Sequence, residues 1–218
     1  MRKQLIVGIA LIFLLTTFIS EKKIVFKTFN IQEIIIENNF ILKDEDIKND
    51  LTFVYNQNLF FLNNSIIENS LKKNSFIESF KIKKIYPNIL KIKISEKKPI
   101  AILFKRKKKF YLSEKIELIE YNDLRIYQDL PYVFGNKEKF KTLYIDLKKI
   151  NFPFELPKKY ILYGSNRWDI ETVDKKIIKL SNKNYLKNLK NYLNLRDKKD
   201  FKKYKIFDYR IESQLILK

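Results

Sequence analysis

Covalent chemistry needs a nucleophile, a proton carrier or a metal cage, and this 218-residue chain lacks the commonest parts of all three. It contains no histidine and no cysteine. Thiol nucleophiles, histidine-based triads and nearly all zinc sites are thereby excluded. Asp, Glu, Lys, Ser and Tyr remain, and they would have to be assembled in a site. Glycosidase chemistry, for instance, requires two carboxylates roughly 5–9 Å apart in one groove, and the sequence places no such pair. The residues alone leave a secreted hydrolase using carboxylates open without a convincing pair for it, and no metal or cofactor is expected.

The elements that would position any such residues begin at the N-terminus. Leu5 to Ile19 holds no charge; Arg2 and Lys3 precede it and Glu21-Lys22-Lys23 follow. This layout predicts a cytoplasmic tail over residues 1–4, a single transmembrane helix over 5–20 and the rest of the chain outside the cytoplasm. A cleaved secretory signal shares the layout, but Thr16-Thr17-Phe18-Ile19-Ser20 lacks the small residues two apart that a signal peptidase needs. Without cysteine, an exported domain needs a core that holds without disulfides, and 13 Tyr and 18 Phe help to supply one.

The net charge is +20, a balance that usually signals nucleic acid or an anionic surface. Here the bias toward Lys runs through predicted strands, helices and loops alike, which reads as whole-chain drift rather than a built patch. An exported address also argues against nucleic acid. Anionic lipid or acidic wall polymer stays open as a counter-surface.

Behind the anchor, the β-branched run Phe29–Glu37 predicts a strand. The acidic first turn of Lys43–Leu51 predicts a short helix. Asn63 or Asn64 can cap a second helix whose face is Ile66, Ile67, Leu71 and Ser70. Phe76–Ile85 and Leu90–Ile94 alternate apolar residues with lysine around Tyr86-Pro87-Asn88, the pattern of a hairpin with one wet face. Beyond Pro99, short strands are expected at 100–104, 110–112, 116–119, 159–163 and 167–170. Thr172–Leu180 is expected to turn and return as another strand, and strands at 203–209 and 213–217 close the chain. A helix is expected over 184–195, and residues 137–150 read ambiguously as helix. The fold class is therefore α+β: a transmembrane helix, a β-α-α-β-β unit within 21–97, and a mostly antiparallel β domain with flanking helices over 98–218.

Five landmarks in this order carry a resemblance. The hairpin turn at Tyr86-Pro87, the Glu96-Lys-Lys-Pro99-Ile-Ala101 junction and the segment Leu130-Pro131-Tyr-Val-Phe-Gly135 are followed by Arg167-Trp168-Asp169 and Asp208-Tyr-Arg210. Together they resemble the bacterial FtsQ/DivIB cell-division family, across essentially the whole chain. The resemblance implies a POTRA domain followed by a β domain, and a non-enzymatic scaffold concentrated at the division septum. It implies the cell inner membrane as location, with the bulk of the chain periplasmic. The implied partners are the FtsB–FtsL pair, with the wall synthases FtsW and FtsI in the wider complex; weak self-association is a further expectation. Another POTRA-bearing protein of envelope assembly or secretion is the rival reading, though such proteins usually carry repeated POTRA units or a barrel. The chain departs from the pattern where Asp174-Lys175 stands for an expected Gly and Ile211 for an aromatic.

The last strand is the expected docking element, because in this family the partner adds to an open sheet edge. The alternative is a strand paired on both sides. Ile211, Ser213, Leu215 and Leu217 are expected on one face, with Glu212, Gln214 and Ile216 on the other. Asp208 and Arg210 either pair with each other or reach the partner. The basic run Lys105, Arg106, Lys107, Lys108 and Lys109 reads as a solvated hairpin tip or as a lipid or partner patch. Trp168 and Tyr86 are expected to pack rather than bind, and Glu96 and Pro99 to set the turn between domains.

Overall fold

The computed structural model describes residues 2–16 and 27–218. Helix α1 (Arg2–Thr16) has 15 residues. At about 1.5 Å per residue it measures about 22 Å, short of the ~30 Å hydrocarbon core. No helix among the described residues is long and apolar enough to cross a membrane. This overturns the expected transmembrane helix over 5–20, and with it the single-pass inner-membrane placement. Residues 17–20 of that expected helix, and the linker 21–26, lie outside the described residues.

The chain divides into two compact units, one holding Met1–Lys73 and Ser79–Ile94, the other Asn74–Glu78 and Ser95–Lys218. The first contains β1 (Glu33–Glu37), α2 (Asp44–Asp50) and α3 (Asn64–Leu71), with most of β2 (Ile77–Ile85) and β3 (Ile89–Glu96). The three strands form one sheet in the order β1-β3-β2. Strand β1 runs parallel to β3, with Ile34 opposite Leu90 and Ile36 opposite Ile92. Alternation drives this layer: Leu90, Ile92 and Ile94 are buried while Lys93 is exposed. Asp44, Glu45 and Asp46 occupy the first turn of α2, where backbone N–H groups favour negative charge. The Asn63 carboxamide caps α3, accepting from the Ser65 N–H at 2.9 Å. Ile67 and Leu71, four residues apart, turn inward. Ile66, expected beside them, is exposed, because five residues separate it from Leu71 and the helical period carries it off the inner face.

The second unit is a nine-stranded sheet in the order β12-β11-β10-β9-β8-β7-β4-β5-β6. Its strands are β4 (Pro99–Lys105), β5 (Lys108–Ser113), β6 (Leu118–Glu120), β7 (Tyr132–Phe134), β8 (Pro157–Leu162), β9 (Trp168–Thr172), β10 (Ile177–Lys179), β11 (Ile206–Asp208) and β12 (Ile216–Leu217). The pairs β4–β7, β7–β8 and β10–β11 are parallel; the rest are antiparallel. A single row in register, Leu103, Val133, Tyr160, Ile170, Ile178 and Phe207, faces helices α4 (Lys137–Lys149) and α5 (Tyr185–Leu195) in one core. The ambiguous segment is a helix because Asn136 caps it, accepting from the N–H of Glu138 at 2.8 Å and Lys139 at 3.3 Å. Phe140, Leu143, Tyr144 and Leu147 then fall on its inner face.

With only three glycines, none at positive φ, the turns use other residues. Asn38, Asn56, Asn151, Asn166 and Asn184 take left-handed conformations, which asparagine tolerates better than most side chains. Arg106 and Lys107 (φ 48° and 66°) make the β4–β5 turn, and Lys175 (φ 63°) stands in the β9–β10 turn at the site of the missing glycine. Gly135 answers a different need. A Cβ there would lie 2.7 Å from the Leu162 Cβ and 3.0 Å from the Trp168 ring, so the backbone itself fills that gap.

The expected closing strand over 213–217 is shorter than its alternation suggests. Residues 211–213 form a turn, with Ser213 at φ 59° and the Gln214 N–H donating to the Ile211 carbonyl at 3.3 Å. Regular pairing resumes only at Ile216. The two-face alternation of 211–217 therefore fails up to Gln214, because a left-handed residue breaks the two-residue period.

Candidate functional site: the open edge at β12

Strand β12 lies at one end of the sheet, antiparallel to β11, with Ile216 opposite Asp208 and Leu217 opposite Phe207. The Ile206 N–H donates to the Lys218 carbonyl at 2.9 Å, and the Lys218 N–H returns to the Ile206 carbonyl at 3.1 Å. In an antiparallel ladder, bonded and non-bonded pairs alternate. Phe207 and Leu217 are therefore a non-bonded pair, and the N–H and C=O of Leu217 point away from β11. The Leu215 and Leu217 side chains pack on the core, while Ile216 is 37% exposed on the other face. The result is an apolar, anchored strand presenting backbone groups outward.

The turn feeding this strand is held by a clasp. The Asp208 carboxylate, 5% exposed, accepts from Arg210 Nε at 2.8 and 3.0 Å, from Nη2 at 2.6 Å and from the Arg210 backbone N–H at 3.1 Å. This bidentate pairing holds the Asp208 carboxyl below the usual carboxylate range. Of the two expectations for this pair, the structure contains the internal one. Two strands away, in the same row through Lys179, lies buried Asp169. Burial pushes its carboxyl up, against the opposing pull of Arg167 at 3.4 Å. Ile211, Glu212, Ser213 and Gln214 are exposed. With the start of α5 the turn borders a cleft of about 370 Å³, lined also by Lys183, Lys187 and Asn188. Asn184 reaches across to Glu212 at 3.4 Å.

The other singled-out residues are spread elsewhere. Lys105 to Lys109 are exposed at the β4–β5 hairpin tip, with Lys105 opposite Lys108. Lys109 Nζ lies 5.0 Å from the Tyr121 ring centroid and 5.7 Å from that of Phe104. Trp168 is buried, edge-on to Phe140. Arg167 lies over the Tyr163 ring at 4.3 Å. The Pro131 carbonyl accepts from the Ile102 N–H at 2.9 Å, joining β7 to β4. Pro99 opens β4 opposite Ser113, and Glu96 ends β3. Tyr86, half exposed before the cis bond to Pro87, stacks on Phe60 at 4.6 Å. Sequence reasoning missed Asp169 as a buried charge, although it stands inside the Arg-Trp-Asp landmark. Among the described residues, no group of three or more Asp or Glu is arranged to hold a metal ion.

Residues 29–97 match the POTRA domain, FtsQ-type. The cell division protein FtsQ of Rickettsia conorii is 28% identical over 186 residues, covering 84% of this chain and 69% of that protein. The FtsQ of Rickettsia typhi is 28% identical over 188 residues, covering 84% and 70%. The major extracytoplasmic domain of DivIB from Geobacillus stearothermophilus overlays 49% of this chain and 96% of its own, at 15% identity and a TM-score of 0.35. From the POTRA match over residues 29–97 and the division-protein relatives along most of its length, the chain is similar to the FtsQ cell-division proteins.

Proposed function

We propose that this protein is a divisome scaffold on which the β12 edge receives an added strand from FtsB. In this reading the FtsB–FtsL pair joins the sheet of residues 98–218 and brings the wall synthases FtsW and FtsI into the same assembly. Residues 21–97 are the recruiting domain that meets early septal proteins. The observation that carries the reading is the outward-facing N–H and C=O of Leu217 on an edge strand whose Leu215 and Leu217 are anchored in the core. An edge of this kind either aggregates or docks, and strand addition supplies affinity through main-chain hydrogen bonds. The Asp208–Arg210 clasp keeps the 209–215 turn from folding over the edge. Ile211, Glu212, Ser213, Gln214 and Ile216 are the exposed side chains that would meet the partner's flanks.

Proline scanning tests this without relying on side chains. In Leu217→Pro the outward N–H is lost, but no internal ladder bond is. Binding of the full chain to the FtsB–FtsL pair is expected to fall about tenfold or more below that of Leu217→Ala, which loses the same core contact but keeps the N–H. Wild-type affinity in Leu217→Pro would move the site away from β12.

A further inference from the structure

A second opening lies in the nine-stranded unit, among residues 98–160, and none of the β12 reasoning uses it. This cavity of about 400 Å³ has a floor of Phe140, Tyr144 and Tyr160 and apolar walls that include Leu130, Pro131 and Phe154. Tyr160 is 1% exposed and Tyr144 7%, yet neither hydroxyl has a hydrogen-bond partner among the described residues. No polar side-chain atom among those residues is both sealed and unpartnered. Each hydroxyl therefore keeps contact with open space, and the space these two residues line is the cavity. Leaving two such groups unpaired in a core is costly unless something else satisfies them.

The rim carries the second signal. Glu114, Asp129 and Glu155 stand exposed around it, against Lys98 in the lining and Lys148, whose Nζ lies 4.6 Å from the Tyr144 ring centroid. In a chain of net charge +20 this is a local reversal of sign. The occupant therefore needs a cationic head to answer the rim, a flat or slender body to lie among Phe140, Tyr144 and Phe154, and several donors for hydroxyl and carboxylate oxygens. A guanidinium meets all three demands: it is planar, stacks on aromatic faces, carries five N–H donors and is more weakly hydrated than an ammonium. Burial holds the Tyr160 phenol well above its ordinary range, so it stays neutral and able to accept.

We propose that this cavity is a receptor for an arginine side chain presented by a partner polypeptide. The exposed carboxylates steer the head inward and contribute little each; stacking and the two hydroxyls hold it. The site is independent of the β12 edge and stands if that docking reading falls.

The test is a chemical-shift titration of the full chain with N-acetyl-arginine methylamide, followed at the amides of Asp129 and Leu130. N-acetyl-lysine methylamide and the uncharged isostere N-acetyl-citrulline methylamide serve as comparison probes. Saturable shifts with the arginine probe are expected, at least tenfold weaker with citrulline and weaker with lysine. Tyr144→Phe with Tyr160→Phe should weaken arginine binding about tenfold per hydroxyl removed. If that double variant misfolds, Asp129→Asn with Glu155→Gln on the exposed rim should still lower affinity and salt dependence. Absence of saturation, equal binding of citrulline and arginine, or affinity untouched by both variant pairs would overturn the proposal.

Discussion

The two edges of the nine-stranded sheet are built differently, though each is a short strand of two or three residues. At the β6 edge the Ser113 N–H donates to the Glu117 carbonyl at 3.0 Å, so by alternation the Glu120 N–H points outward. It does not stay free: it donates to the Ser75 hydroxyl at 2.9 Å. The chain beyond also folds back, the Tyr111 hydroxyl donating to the Asn122 carbonyl at 2.5 Å. Lys97 and Glu117 add an ion pair at 2.9 Å. At the β12 edge no described residue caps Leu217 in this way. One edge is closed by side chains and charge, the usual protection against stray pairing, while the other is left open. The contrast, more than the openness of β12 alone, supports the proposal that β12 is the docking edge.

The largest way to break this comparison is to disturb what both edges share. Gly135→Ala would push a methyl into Leu162 and Trp168 beside the central strands, at a cost of about 1–3 kcal/mol. Denaturant unfolding should show the loss, and binding at β12 should weaken with it. Next comes Leu217→Pro, which should weaken partner binding well below Leu217→Ala while unfolding at a similar midpoint, since both lose the Leu217 core contact. The reciprocal change at the closed edge is Ser75→Ala. It should cost about 1 kcal/mol and, on the proposal that β12 is the docking edge, leave FtsB–FtsL affinity unaltered.

The carboxylates on the same sheet face sharpen the comparison through pH. Asp208, held below its unfolded pKa mainly by hydrogen bonds from Arg210, contributes stability above the unfolded pKa of about 3.9. That contribution is lost as pH falls through the lower folded value. Asp169, raised chiefly by burial, has the opposite sign: its charge weakens the fold above its raised pKa, and protonation relieves this as pH falls. Asp208→Asn should therefore lower the unfolding midpoint at pH 7, with the deficit shrinking well below pH 4. Asp169→Asn should lose less at pH 7 or gain. The smallest expected effect is at the β9–β10 turn, where Lys175→Gly removes a left-handed lysine. A gain of about 0.5 kcal/mol is expected, since relief of the turn is partly offset by glycine's greater freedom when unfolded.

Much of the first unit was legible because its signals are local. The alternation through Leu90, Ile92 and Ile94, the acids at the start of α2 and the cap at Asn63 each act within a few residues. The same holds for α4 once Asn136 is read as a cap. At β12 the sequence misled over 211–215, because apolar alternation does not say where a neighbouring strand runs out. Tyr209 continues the β10 side of the ladder, its N–H donating to the Lys179 carbonyl at 2.8 Å, but on the β12 side the chain must turn at Ser213 before it pairs again. The N-terminal apolar run likewise predicted a membrane crossing, and no helix among the described residues is long and apolar enough to make one. Nothing in the sequence set Tyr144 and Tyr160 apart from the other tyrosines, and only their packing left the two hydroxyls on one cavity.

By itself the sequence determined the absence of histidine and cysteine chemistry, the order of most strands and helices and the landmarks that resemble a division protein, since these depend on residue identity and short-range periodicity. The tertiary structure alone decided that β4, β7 and β8 run parallel, that the Glu120 N–H is capped while Leu217 is not, and that Asp208 turns inward to Arg210. Those outcomes depend on which backbone groups meet across gaps of tens of residues, and no local pattern encodes that meeting.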